Sequence, residues 1–397
     1  YTWTSLLDGL ACIECGRCTD QCPAFATGKP LNPKEVIIEI KHATMEHMPA
    51  IAKAKKEGQE ELPEALVAPQ YVGVDTMWAC TSCNACVEAC PVGNDPMTKL
   101  LDLRRSKILM EGDLPNELAL TLTNMENQSN PWGINAEKRA DWSQGLDIPT
   151  LADNANVDYL FWVGCAGSFD DRAKKVSVAL TKILKHAGIS FGILGTEEQC
   201  SGDSARRGGN EYLYQMLAQG NVDTMNGYGV KKIITTCPHC FNTLKNEYPQ
   251  FGGNYEIYHH TQFLADLMSS GKLPADSEAT KEKIAYHDSC YMGRYNKEYD
   301  APRSVIKNVG KVVADPPRSH SKSFCCGAGG AQMWMEESEP RVNDNRTQEL
   351  LEQNTNTIAT NCPFCMTMIE DGVKNKEKED DVKVKDLAEL VAQKLNL

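Results

Sequence analysis

Residues 323 to 330 read SFCCGAGG: two adjacent cysteines, Cys325 and Cys326, followed by a glycine-rich turn. Adjacent thiols suit neither an apolar core nor an unstrained disulfide with each other. The pair therefore asks for a ligand role, and the chain around it supplies partners. Cys290 lies upstream, and Cys362 and Cys365, in CPFC, lie downstream. An earlier set has the same form, with Cys165, Cys200, and Cys237 and Cys240 in CPHC. Each later cysteine stands 125 positions after its counterpart (290 − 165, 325 − 200, 362 − 237, 365 − 240). The flanks agree: YLFWVGC parallels IAYHDSC, and IITTCPHCFNTLKNEY parallels TIATNCPFCMTMIEDG. A fixed offset over four ligand positions marks an internal duplication.

Both copies read alike locally. An apolar run, 158–163 or 284–287, ends near the first cysteine. A helical segment follows (KKVSVALTKILKHAG or APRSVIKNVG), then the Cys-Gly turn. A second helical segment, NEYLYQMLAQGNVDTM or PRVNDNRTQELLEQN, leads to another apolar run ending at C-P-x-C. Alternating strands and helices predict a small parallel α/β unit, with cysteines at the carboxyl ends of strands, where open sheets collect ligands. Pro238 and Pro363 suit the first turn of a helix whose N–H groups face the sulfurs.

The amino-terminal part carries a different code. CIECGRCTDQCP and CTSCNACVEACP share the spacing C-x2-C-x2-C-x3-C-P. Three cysteines at this spacing wrap one 4Fe–4S cube, and the fourth turns to the neighbouring cube. Cys12, Cys15, Cys18 and Cys90 are thus assigned to one cluster, and Cys80, Cys83, Cys86 and Cys22 to the other. Zinc would leave the repeated fourth cysteine and proline unexplained. Between the runs, PKEVIIEIKHATMEHM and PAIAKAKKEGQEEL read as helices, as does DPMTKLLDLRRSKILMEGDLP after the second run. A mainly helical two-cluster domain is expected. The charged stretch between the runs reads as a solvated face before a docking surface.

Seventeen cysteines in such groups point to metal rather than disulfides. The chain is 41% hydrophobic and carries a net charge of −13, which argues against binding a nucleic-acid backbone. No run of about 18 apolar residues is present to span a bilayer. The chain opens YTWTSLLDGLACIEC, without an initiator methionine, and is expected to be a processed form or part of a longer one.

The Cys, Cys-Cys-Gly, C-x-x-C pattern resembles the cysteine-rich CCG module of heterodisulfide reductase and its relatives, which include iron–sulfur subunits of glycolate and lactate oxidation systems. The likeness covers almost the whole chain and is similar to the fused, heterodisulfide reductase D-like iron–sulfur oxidoreductases. It implies an α plus α/β architecture: a helical ferredoxin-like domain at 1–150, CCG repeat 1 at 151–278 and CCG repeat 2 at 279–397. It also implies that Cys290, Cys325, Cys326, Cys362 and Cys365 hold a non-cubane 4Fe–4S cluster. The glycines at 327, 329 and 330 would let the backbone approach that cluster. Stretches such as FATGKPLNPKEVI, NPWG, CSGDSARRGGNEYL and CCGAGGAQMWMEE resemble membrane-linked members that pass electrons between electron-transfer flavoprotein and menaquinone. The implied partners are such a flavoprotein and a membrane haem or quinone-reactive domain. The implied location is the cytoplasmic side of the membrane, as a peripheral protein or as the soluble part of an anchored chain.

Repeat 1 departs from the pattern, because Ser201 stands where Cys326 stands in repeat 2. Cys165, Cys200, Cys237 and Cys240 suffice for a cubane cluster or for zinc. A fourth iron–sulfur cluster is the expectation there, with zinc the alternative. An electron relay is the expected function. A disulfide reductase is the alternative, although the Ser201 departure removes half of the paired five-cysteine constellation that reaction uses in the relatives. A zinc-bearing scaffold is a third reading, which the two ferredoxin runs disfavour. No catalytic nucleophile or base can be read.

Smaller expectations attach to single residues. His287 and Asp288 are expected in structural hydrogen bonds, and His239 beside a metal site rather than in it. His259 and His260 should end a strand and start a helix, while Arg206 and Arg207 are expected either to offset cluster charge or meet an anionic partner, or to form surface ion pairs. Met333, Trp334 and Met335 should pack around the repeat 2 site, and KNKEKEDD (374–381) is a solvated charge run.

Overall fold

The computed structural model describes residues 1–61, 67–276 and 282–397. The expected boundary at 278/279 and the last residue of the second helical segment, at 62, lie outside the described residues. The amino-terminal unit is helical, built on Trp3–Ala11, Pro33–Lys56 and Pro96–Ser106 around Leu31, Val36, Ile40, Met77 and Leu100. Asn32 caps the long helix through the N–H groups of Lys34 and Glu35, Pro33 takes its first position, and three lysines occupy its last turn. Two helices were expected across this stretch, divided at Pro49, but one continuous helix runs through it. Pro49 sits on an exposed turn, and the helix formers on either side carry the helix past one missing donor.

Each cysteine-rich unit is a four-stranded parallel sheet. β1 (Tyr159–Trp162), β2 (Phe191–Gly192), β3 (Lys232–Thr235) and β4 (Glu256–His259) lie in the order β2-β1-β3-β4. β5 (Lys283–Tyr286), β6 (Val312–Ala314), β7 (Thr357–Thr360) and β8 (Lys383–Asp386) repeat this as β6-β5-β7-β8. The central pairs register Leu160 with Ile233 and Ala285 with Ile358. Helices cover both faces, so the central strands read as unbroken apolar runs. Pro238 and Pro363 open the helices that follow β3 and β7. His259 ends β4 and His260 starts the next helix, as the sequence suggested.

The two repeats share one core. The helix Asp171–His186 packs on Leu387–Lys394, and His260–Ser269 packs on Asp300–Asn308. Leu180, Ile183 and Leu184 are fully buried there beside Val305, Ile369 and Val391. Each such side chain contributes about 1.5 to 3 kcal/mol of hydrophobic stabilisation. Arg172 adds ion pairs to Glu370 and Glu389 across the same boundary. The helix Asn116–Gln128 lays Leu118, Leu122 and Met125 against Leu213 and Tyr214 of repeat 1. Among the described residues, no helix is long and apolar enough to cross a membrane.

Candidate metal centres

In the amino-terminal unit the two cysteine runs exchange their fourth members. Cys12, Cys15, Cys18 and Cys90 line one cavity with Ile13, Ile37 and Val92. Cys22, Cys80, Cys83 and Cys86 line a second with Leu31, Met97 and Leu100. Pro96 borders both. The loops turn by left-handed residues at matching places, Glu14 and Gly16 in one run and Ser82 and Asn84 in the other. Such turns aim backbone N–H groups inward, and Ser82 N donates to Cys80 Sγ at 3.4 Å. Asn94 N donates to Cys90 Sγ at 3.3 Å. Cys15 is exposed, whereas Cys80 and Cys83 are buried. Burial pushes the Cys80 thiol up to about 11 although Arg104 pulls it down.

The second cavity abuts repeat 2. The side chains of Cys83 and Cys325 are in hydrogen-bonding contact. Arg294, buried, donates to the carbonyl of Cys83 at 2.6 Å and to that of Ser323 at 2.6 Å. Ser82 Oγ meets Tyr291 Oη at 3.1 Å, and Tyr295 Oη donates to the Ser82 carbonyl at 2.7 Å. The glycines of the Cys-Cys-Gly turn are used here in an unexpected way. A Cβ on Gly329 would lie 2.3 Å from the Thr81 carbonyl oxygen, and one on Gly330 would lie 2.2 Å from that of Cys80. They admit the C-x-x-C loop of the amino-terminal unit rather than a closer approach to the repeat 2 thiols. Only Gly327, with φ +98°, stays on the repeat 2 side, against Val342 and Met368.

In repeat 2 the five thiols form an unbroken series. Cys290 meets Cys325, Cys325 meets Cys326, Cys326 Sγ lies 3.2 Å from Cys365 Sγ, and Cys365 meets Cys362. Gly327 N donates to Cys325 Sγ at 3.3 Å and Cys365 N to Cys362 Sγ at 3.5 Å. Burial opposes ionisation of Cys362, but hydrogen bonds from Cys365 and His239 win and hold it down at about 5. A ring nitrogen of His287 lies within 4.8 Å of Cys326 and Cys365. Its Nδ1 accepts from Arg346 at 3.0 Å, the structural hydrogen bond expected of it. Asp288 is paired bidentately with Arg303 at 2.8 Å.

Repeat 1 gathers Cys165, Cys200, Cys237, Cys240 and Ser201 around one cavity, with Trp132, His239 and Phe364 in its wall. Ser201 Oγ lies 3.5 Å from Cys240 Sγ, so the serine faces the same space as the thiols. Arg139 donates to Cys165 Sγ at 3.4 Å and pairs with Glu198 at 3.0 Å. Glu198 in turn accepts from the N–H groups of Val163 and Gly164 at 3.0 and 2.8 Å. Burial raises its carboxyl to about 7 against the pull of Arg139. Cys165 goes the other way, down to about 6, because hydrogen bonds from Cys200 and Arg139 outweigh burial.

Arg206 and Arg207 form ion pairs as expected, with Glu247, Glu211 and Asp203, but Arg207 is buried rather than on the surface. Trp334 differs from expectation: it packs on Trp132 and Phe364 and donates to Ser204 Oγ at 2.9 Å, so it lies by repeat 1. Sequence reasoning missed Arg104. Fully buried, it donates to the carbonyls of Met77, Trp78 and Cys80 and to those of Arg207 and Gly330, joining the amino-terminal unit to both repeats. It also missed Arg139, Glu198 and Arg294.

These donor sets fit iron–sulfur clusters. All seventeen cysteines are free of disulfides, and they converge in four groups with backbone N–H groups on their sulfurs. The four thiols of repeat 1 would suit zinc as well.

Comparison with known proteins agrees. A 4Fe–4S dicluster domain matches residues 11–94, and the cysteine-rich domain CCG matches 159–245 and 284–370. The chain is 46% identical to EtfAB:quinone oxidoreductase of Syntrophomonas wolfei, covering 98% of this chain and 59% of that protein. It is 42% identical to a probable iron–sulfur-binding oxidoreductase of Bacillus subtilis, over 99% and 61%. The heterodisulfide reductase D polypeptide of Methanosarcina barkeri is 29% identical, over 100% of this chain and 96% of that one. The chain thus spans about three fifths of the first two relatives and nearly all of the third. A dicluster domain followed by two CCG domains, aligned end to end with the Methanosarcina polypeptide, makes the chain similar to the heterodisulfide reductase D-like iron–sulfur oxidoreductases.

Proposed function

We propose that the chain relays electrons between a flavoprotein of the electron-transfer type and a membrane partner that reacts with quinone. The observation that carries this reading is the continuity of the four thiol groups. The first two cavities share Pro96, Cys83 of the second touches Cys325, and Cys362 of repeat 2 touches His239 in the wall of the repeat 1 cavity. The names of two relatives, EtfAB:quinone oxidoreductase and a probable membrane-anchored ferredoxin, supply the partners. A place at the cytoplasmic face of the membrane follows as part of the same proposal.

We assign Cys12, Cys15, Cys18 and Cys90, and Cys22, Cys80, Cys83 and Cys86, to two cubane clusters. The five thiols of repeat 2 would hold a non-cubane cluster, and Cys165, Cys200, Cys237 and Cys240 a fourth cluster or zinc. The corresponding units are 1–150, 151–278 and 279–397. When bound, such clusters supply one-electron transfer. The chain's own residues exclude water from the inner three groups, donate N–H bonds to their sulfurs, and hold the groups in contact. His239, Tyr291 and Phe364 fill the space between the two repeat sites, which supports a relay over a reductase acting on a bound disulfide.

The test is anaerobic rapid mixing. Reduced electron-transfer flavoprotein should bleach the visible absorption of the loaded chain, and a small thiol disulfide should not restore it at a comparable rate. Fast reoxidation by the disulfide, with no response to the flavoprotein, would replace this reading with the reductase.

A further inference from the structure

The repeat 1 site is completed by residues that precede repeat 1. The turn Ala136–Ser143, which follows the helix Asn116–Gln128, packs on the helix Gly164–Phe169 that carries Cys165. Between the two, Pro131 and Trp132 enter the cavity wall. Asn130 fixes this stretch: its Nδ2 donates to the carbonyls of Gln128 and Ile134 at 2.8 and 2.6 Å, and its Oδ1 accepts from Ile134 N–H at 3.2 Å. The neighbouring Ser129 carbonyl is thereby set to accept from the N–H of Cys200 at 3.0 Å.

Arg139 occupies the centre of this arrangement, buried to 1% exposure. Its Nη1 donates to Glu198 Oε1 at 3.0 Å, and its Nη2 donates to the Ser129 carbonyl at 2.7 Å and to Cys165 Sγ at 3.4 Å. Glu198 also accepts from the N–H groups of Val163 and Gly164, so the carboxylate ties the arginine to the strand end that leads into Cys165. A guanidinium keeps its charge when buried, and its planar fork fixes the direction of each bond. The donor on Cys165 is therefore set by protein contacts alone. The 125-residue offset puts Ser323 in the place of Glu198 (323 − 198), so repeat 2 cannot form the same pair. The buried arginine beside repeat 2, Arg294, donates to the carbonyls of Cys83 and Ser323. Repeat 1 also holds Trp162 Nε1, a buried donor with no acceptor among the described residues. A Cβ on Gly164, in the cavity wall, would lie 3.9 Å from that nitrogen. A buried donor of this kind asks for an acceptor, and cluster sulfide is one that zinc would not bring.

We propose that Arg139 is a positioning residue for the repeat 1 site and raises the midpoint potential of the cluster there. This rests on the reading that Cys165, Cys200, Cys237 and Cys240 hold an iron–sulfur cluster and not zinc. A charge-assisted N–H bond to a ligand sulfur stabilises the electron that the flavoprotein partner adds to that cluster. Ser201 acts in the same direction, because it leaves one thiolate fewer here than in repeat 2.

The test uses the full chain, prepared anaerobically and titrated with reductant while its paramagnetic resonance is recorded. The signal altered by Cys240→Ser identifies the repeat 1 cluster. The midpoint of that signal should fall in Arg139→Gln, which keeps an amide donor but loses the charge. It should fall less in Arg139→Lys, which keeps the charge without the fork. Because Arg139→Gln alone leaves a buried carboxylate unpaired, a double variant, Arg139→Gln with Glu198→Gln, removes both charges. The midpoint should fall there too, with iron content held and the midpoints of the remaining signals unmoved. An unchanged midpoint in the double variant, a shift confined to the remaining signals, or loss of about four irons from both the double variant and Arg139→Lys would overturn the proposal. A parent with about 12 irons and one zinc, and no signal that responds to Cys240→Ser, would instead refute the cluster in repeat 1, which keeps the two failures apart.

Discussion

Ser201 and Cys326 differ by one atom at equivalent places, and both side chains face thiols. Cys326→Ser should make repeat 2 resemble repeat 1: Cys290, Cys325, Cys362 and Cys365 remain, so iron should be retained while the spectrum of that site changes. Cys325→Ser should be harsher, because Cys325 touches Cys290, Cys326 and Cys83 and its loss interrupts the series. Loss of about four irons per chain is expected there. Identical paramagnetic spectra for Cys326→Ser and the parent would show that the adjacent pair is not a ligand pair. The cysteines were legible because their spacing is itself the chemistry. Arg104 was not, since its partners are backbone carbonyls between 24 and 226 residues away, and a single arginine in a helix carries no mark of them. Glu198 and Arg139 were hidden for the same reason. Each is recognisable only beside the other.

The Cys-Cys-Gly turn meets the Cys80–Cys83 loop backbone to backbone, and the cost of a side chain there can be separated from the cost of its torsion. Gly330 and Gly188 both have φ +66°, yet a Cβ at Gly188 would meet nothing within 4 Å, while one at Gly330 meets the backbone of Cys80 and Thr81. Gly188→Ala should cost about 1 kcal/mol from torsion alone. Gly330→Ala should cost roughly 2 kcal/mol more, since backbone must move. Anaerobic thermal unfolding checks this, and equal losses for the two would contradict the packing described. Among the strands, β1, β3, β5 and β7 were legible as apolar runs closing on cysteines. The edge strands β2 and β6 are two and three residues long, too short to show a period. β8 alternates lysine with valine and aspartate after a solvated charge run, so its sequence reads as more of the same surface.

At the scale of the molecule, the duplication announced two similar units but not that they share a core. The apolar faces of Asp171–His186 and Leu387–Lys394 would suit any neighbour, and only the fold shows that they cover each other. The same holds for the order of the four thiol groups. That Cys83 meets Cys325, and that Phe364 of one repeat lines the cavity of the other, follows from docking surfaces with no linear signature. The central claim is that all four groups hold metal in one connected series. Its most direct test is iron, acid-labile sulfide and zinc analysis of the anaerobically prepared chain. About 16 irons per chain are expected with four clusters, or about 12 with zinc in repeat 1. About 8 irons, with sulfide to match, would confine the clusters to the amino-terminal unit and contradict the account.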